Sequence, residues 1–156
     1  MNCVQHQMSP GKLLISAAVE SGFKQHRVTL TTAGNSHSLE VAPRSSGFGS
    51  SANGGELLCL ALATCYCNDL YREAAKRSIE VVGVEVQATA EFGAEGHPAS
   101  RLSYHVVVRA KAAEADIRDL IANTDKVAEV HNTLRLGMPV VLESFKVESV
   151  DGTDAA

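Results

Sequence analysis

The stretch that decides the fold is Glu56-Leu57-Leu58-Cys59-Leu60-Ala61-Leu62-Ala63-Thr64-Cys65-Tyr66-Cys67-Asn68-Asp69-Leu70. Eleven of these fifteen residues are apolar, counting Tyr and Cys, which predicts a helix buried on most sides. Asn68, Asp69 and Arg72 interrupt the run too soon for a membrane span. The helix is expected from about Gly55 to Lys76, with Asp69, Arg72, Glu73, Lys76 and Arg77 on an exposed second half. A rigid internal helix would hold the Cys65 thiol in a fixed, partly dry place. The alternative is plain packing, because free cysteine is among the most buried residue types.

Upstream, Leu13 to Val19 is apolar enough for a first strand, and Ser21-Gly22 signals a turn. Phe23 to Thr32 has strand character, Ala33-Gly34-Asn35-Ser36 reads as a tight hairpin turn, and His37 to Ala42 returns. Arg44 to Gly55 is a long loop rich in Gly, Ser and Asn, either functional or a floppy connector.

Downstream, Ile79 to Phe92 alternates as a half-buried strand. Val82, Val84, Val86, Ala88, Ala90 and Phe92 share one face. After a loop at Gly93 to Pro98, Leu102, Tyr104, Val106, Val108 and Ala110 line the inner face of the next strand. Ile117, Leu120, Ile121, Thr124, Val127 and Ala128 recur at helical spacing, with His131-Asn132-Thr133-Leu134 just past that helix. Val140 to Val150 is expected as a final strand with a phase change near Glu143. The order predicts an α+β fold of antiparallel sheets covered by helices. Half-buried strands beside so apolar a helix call for a second copy as cover. One domain over residues 12–150, with flexible tails at 1–11 and 151–156, is expected.

At 156 residues the chain is long enough for a real core. Its 45% hydrophobic and 21% charged content is that of a soluble globular protein. A net charge of −4, no Trp, three Tyr and four Phe argue against nucleic acid as a partner, since they offer neither a basic stripe nor stacking platforms. Met1 to Gly11 lacks an apolar secretory segment, so a cytoplasmic location, where thiols stay reduced, is the expectation. The four cysteines suggest no disulfide framework, and Cys and His show no paired zinc spacing. Neither a metal nor an organic cofactor is implied.

Read together, these features resemble the OsmC/Ohr family. The residues that carry the likeness are Ala63-Thr64-Cys65 on the long helix and Asn53-Gly54-Gly55-Glu56-Leu57 leading into it. Val82-Gly83-Val84-Glu85-Val86 and Val130-His131-Asn132-Thr133-Leu134-Arg135 follow in the expected order. The resemblance implies an OsmC-like fold in an intertwined homodimer, with a long central helix and active sites at the subunit interface. It also implies reduction of organic hydroperoxides by Cys65, with an arginine and a supporting glutamate lowering the thiol's pKa. Arg44 is the matching arginine, with Lys24 and Arg27 as runners-up. Glu56 matches the glutamate of some members, while others place theirs where Gly55 stands.

One departure stands out. The family's second, resolving cysteine falls on Ala128 in the phrase Ala128-Glu129-Val130-His131-Asn132. A sulfenic acid on Cys65 would then need a small thiol reductant, or Cys59, Cys67 or Cys3. Cys67 either lines the same pocket or packs on the opposite face. His131 is either a hydrogen-bond partner in the site or a helix C-terminal cap. Three functions follow: a one-cysteine hydroperoxide reductase, a non-catalytic dimer binding a small apolar ligand, or a redox sensor.

Overall fold

A computed structural model describes residues 11–148. The two tails, the Cys3 position and the end of the expected last strand lie outside the described residues, Gly11 excepted. The architecture is α+β, with two antiparallel sheets and three helices among the described residues. The chain divides into two compact units at Leu60 and Ala61.

The first unit is a meander. Strand β1 (Ile15–Gly22) pairs with β2 (Gln25–Thr32), which pairs with β3 (Asn35–Leu39), all antiparallel. The first turn is Phe23-Lys24 and not the expected Ser21-Gly22. Gly22 still pairs with Gln25, and Lys24 takes the left-handed φ of +55°. The second turn narrows to Ala33-Gly34, with φ of +48° and +83°, the positive pair that suits a two-residue hairpin. Asn35 and Ser36 therefore join β3, where Ser36 Oγ lies 2.7 Å from Thr31 Oγ1.

The Gly/Ser loop is anchored within this unit. Lys24 N–H donates to Gly47 O, Arg44 N–H to Gly49 O and Ser51 N–H to Ala42 O. Phe23 and Phe48 meet edge to face at 5.5 Å. Helix α1 (Gly54–Lys76) then begins with a reciprocal cap. Asn53 Oδ1 accepts from Glu56 N–H at 2.9 Å, and Glu56 Oε2 accepts from Asn53 N–H at 2.7 Å.

The second unit holds the core. Strand β4 (Glu80–Phe92) pairs with β5 (Ala99–Lys111). Tyr66, Leu70 and Ala74 of α1 cluster with Leu120 and Ala128 over Val81, Val84, Val86, Tyr104, Val106 and Val108. Val82 was expected inward but is exposed, and Val81 takes its place. A bulge between Val81 and Gly83 shifts the alternation by one residue, and a second bulge leaves Phe92 exposed. Gly83 also makes room for Arg109. A Cβ there would lie 2.8 Å from the Arg109 guanidinium, which reaches across to Glu85.

Helix α2 (Glu114–Val127) turns the expected face inward, with Leu120 and Thr124 fully buried. A further helix, α3 (Glu129–Arg135), follows where the sequence suggested a helix end. Ala128 is extended and buried between the two. Gly137, at φ +64°, closes α3 by donating to Leu134 O.

Two further expectations are corrected. The second half of α1 was expected exposed, yet Asp69 and Glu73 are buried, because charged partners surround them there. The final strand is absent over 138–148. A strand needs a neighbour to complete its hydrogen bonds, and none pairs with this segment among the described residues. Val140, Val141, Leu142, Phe145 and Val147 stand 70–101% exposed.

Candidate functional site

Cys65 is half-buried on α1, facing a carboxylate one turn later. Its thiol donates to Asp69 Oδ2 at 3.2 Å. The side chains meet because residues four apart share a helix face. Asp69 is only 5% exposed, and its other oxygen, Oδ1, lies 2.8 Å from Arg72 Nη1. The same guanidinium reaches Glu129 Oε1 at 3.0 Å and Glu73 Oε1 at 3.1 Å. Glu73 is also held by Lys76 at 2.8 Å and by Asn123 at 3.3 Å. One arginine thus ties three carboxylates together, and one of those carboxylates holds the sulfur.

This setting pushes the Cys65 thiol above its ordinary pKa. Burial contributes most, and Asp69 and Glu129 add to it; the Val130 backbone N–H acts in the opposite direction. Burial also raises the Asp69 carboxyl, reinforced by Glu129 and opposed by the Cys65 hydrogen bond and Arg72. Glu129 is held low, first by its own backbone N–H at the start of α3 and also by Arg72. The Cys65 sulfur and the carboxylates of Asp69 and Glu129 lie within 4.8 Å of one another. Arg72 bonds both carboxylates.

Cys67 points elsewhere. It borders a shallow open cleft of about 250 Å³ with Ala63, Thr64, Asn68 and Val86. His131 is not a C-terminal cap, because it sits inside α3. Its ring packs edge-on to Tyr104 at 4.7 Å and beside Tyr66 at 5.9 Å. It is 4% exposed, and neither ring nitrogen has a hydrogen-bond partner among the described residues. Burial, then Arg135, lowers its pKa, while Asp125 opposes this. A small cavity of about 100 Å³ adjoins it, lined by Leu62, Leu102, Tyr104, Leu134 and Arg135. Tyr66 donates to Ile121 O at 2.9 Å, and burial pushes its phenol up to about 12. Tyr104 donates to Asp125, which Arg135 holds at 2.6 Å.

Arg44 and Glu56 lie in the first unit, and Cys65, Cys67 and His131 in the second. Arg44 Nε donates to Ser50 O at 3.4 Å and has no ion-pair partner among the described residues. Glu56 is engaged with Asn53, so the structure does not pair it with Arg44. Of the runners-up, Lys24 lies over the Phe23 ring at 5.5 Å and Arg27 pairs with Glu20 at 2.9 Å. Sequence reasoning missed Asp69, although its place four residues after Cys65 was a readable signal. It also missed the Asn53-x-x-Glu56 capping pattern.

Residues 47–143 match the OsmC-like protein family. Among curated proteins none matches the chain. Solved structures with a similar fold include an OsmC-like protein from Mycoplasma pneumoniae, 20% identical, with a TM-score of 0.55 over 81% of this chain and 89% of that one. An organic hydroperoxide resistance protein from Elizabethkingia anophelis is 19% identical, with a TM-score of 0.53 over 80% and 89%. An organic hydroperoxide resistance protein OsmC from Legionella pneumophila is 18% identical, with a TM-score of 0.51 over 82% and 92%. At such identities the structural likeness speaks for the fold alone, and the family match covers well over half of the sequence. The chain belongs to the OsmC-like protein family.

Proposed function

We propose that this protein reduces organic hydroperoxides with a single reactive cysteine, Cys65. The observation that carries the reading is the sulfur's placement: half-buried on the long helix and fixed by a hydrogen bond to Asp69. Two structures of similar fold are organic hydroperoxide resistance proteins. The family resemblance adds Arg44 as the activating cation, while Glu56 caps α1 with Asn53. Because residue 128 is alanine, the reductant is a small thiol that attacks the sulfenic acid directly. The working form is a homodimer in the cytoplasm. The exposed apolar side chains of residues 140–147 support a second copy as cover. No helix among the described residues is long and apolar enough to cross a membrane.

A second reading has its own support. Ala128 removes the usual resolving thiol, and burial raises the Cys65 pKa where a peroxidatic thiol wants it lowered. Both favour an OsmC-fold dimer that binds a small apolar ligand or senses oxidants. The test is the rate of sulfenic acid formation on reduced protein with cumene hydroperoxide and with hydrogen peroxide. The expected result is a rate with the organic peroxide well above that of free cysteine, abolished in Cys65→Ser. A rate no better than free cysteine overturns the enzymatic reading and turns attention to ligands.

A further inference from the structure

Asp69 has one oxygen committed to a cation and the other to a reactive sulfur. Arg72 fixes Oδ1 at 2.8 Å, which leaves Oδ2 to take the Cys65 thiol proton at 3.2 Å. Glu129 shares that Arg72 Nη1 at 3.0 Å, and Glu73 takes Nε at 3.1 Å. The groups facing this proton are therefore Cys65, Asp69 and Arg72 on α1, with Glu129 and the Val130 N–H on α3. The carboxylate pairs with Arg72, which fixes it in place. What it adds is a proton acceptor in contact with the sulfur.

We propose that Asp69 is a catalytic acid–base residue, taking the Cys65 proton as sulfur attacks a hydroperoxide and returning it to the leaving alkoxide. This rests on the hydroperoxide-reductase reading above. The sulfur lone pair attacks the terminal oxygen of ROOH, forming the S–O bond as the O–O bond breaks. Cysteine is oxidised to the sulfenic acid, retaining the terminal OH of the peroxide. The peroxide is reduced to RO⁻. The thiol proton passes through Asp69 Oδ2 to RO⁻ and gives ROH, so atoms and electrons balance. A raised thiol pKa is compatible with this route, because no standing population of thiolate is needed.

Asp69→Asn tests the proposal with two reagents on reduced protein. Cumene hydroperoxide has a leaving group that needs a proton; iodoacetamide releases iodide, which does not. Oxidation by cumene hydroperoxide is expected to fall by about a hundredfold, the scale of one general acid–base contribution. Alkylation loses only the base half of this role and should fall by much less, because iodide leaves without a proton. A parallel fall in both reactions would make Asp69 a packing residue and overturn the proposal, as would unchanged oxidation. If the variant does not fold, the wild-type protein supplies the test. Oxidation should then slow in D₂O, and equal rates in both solvents would overturn the proposal. Wild-type oxidation no faster than free cysteine would instead refute the hydroperoxide reading, and the Asp69 role with it. The two failures are thus told apart by the wild-type rate.

Discussion

Both units are built on antiparallel strands, and the described core cluster of strands and helices lies within the second. In β1–β3, Val28 alone is buried, while Leu13, Leu14, Ile15, Val19 and Phe23 are 60–67% exposed. In the second unit the inward residues of β4 and β5 meet Tyr66, Leu70, Ala74 and Leu120. A two-stranded ribbon is marginal alone, and the helices over it make this one a core. The lesson is that strand propensity does not locate stability. The half of the molecule with the better hairpin turns holds the smaller share of buried apolar surface. The candidate thiol sits in the unit that holds the packed core.

The sharpest way to break this contrast is to truncate one residue in each unit. Leu70→Ala removes a fully buried side chain and should destabilise the protein by about 2–5 kcal/mol in urea unfolding. Val19→Ala, at a position 61% exposed, should change stability by less than about 0.5 kcal/mol. Equal losses would mean that the β1–β3 face is covered in solution.

A smaller effect tests the start of α1. Asn53→Ala removes half of the reciprocal cap and should cost about 1 kcal/mol by the same assay. No change would mean that the helix start contributes nothing to global unfolding. The smallest effect is on pH dependence. Burial, with Arg135, holds the folded-state pKa of His131 below its ordinary value of about 6.5, and Asp125 opposes this. The unfolded chain therefore binds a proton that the folded chain refuses. This contribution is complete above about pH 6.5 and declines as pH falls below it. His131→Phe should flatten the slope of stability between about pH 7 and 5. An unchanged slope would assign it to another group.

Much of this was readable in the residues. The alternation from Val84 to Ala90 gave β4 its inward face, and the spacing of Ile117, Leu120, Ile121 and Thr124 gave α2 its buried one. Periodicity fails where geometry inserts a residue, so the bulge at Val81 and Gly83 turned Val82 outward. It also fails where charge is buried in pairs. Asp69 and Glu73 look like a wet face until Arg72, Lys76 and Glu129 are placed around them. Helix α3 was hidden because Ala128, a good helix former, is the residue where the chain leaves the helix. Cys65 was legible as a candidate, whereas its partner Asp69 needed the three-dimensional neighbourhood that gives a carboxylate a reason to be buried.

The segment after Gly137 has a consequence for hydrogen exchange. Among the described residues, the amides of 138–148 have no backbone acceptor. In an isolated chain they should exchange with deuterium at nearly the rate of an unstructured peptide. Any protection measured there would report another strand lying against them. Its dependence on protein concentration would then give the affinity of that pairing directly, with no label attached to the protein.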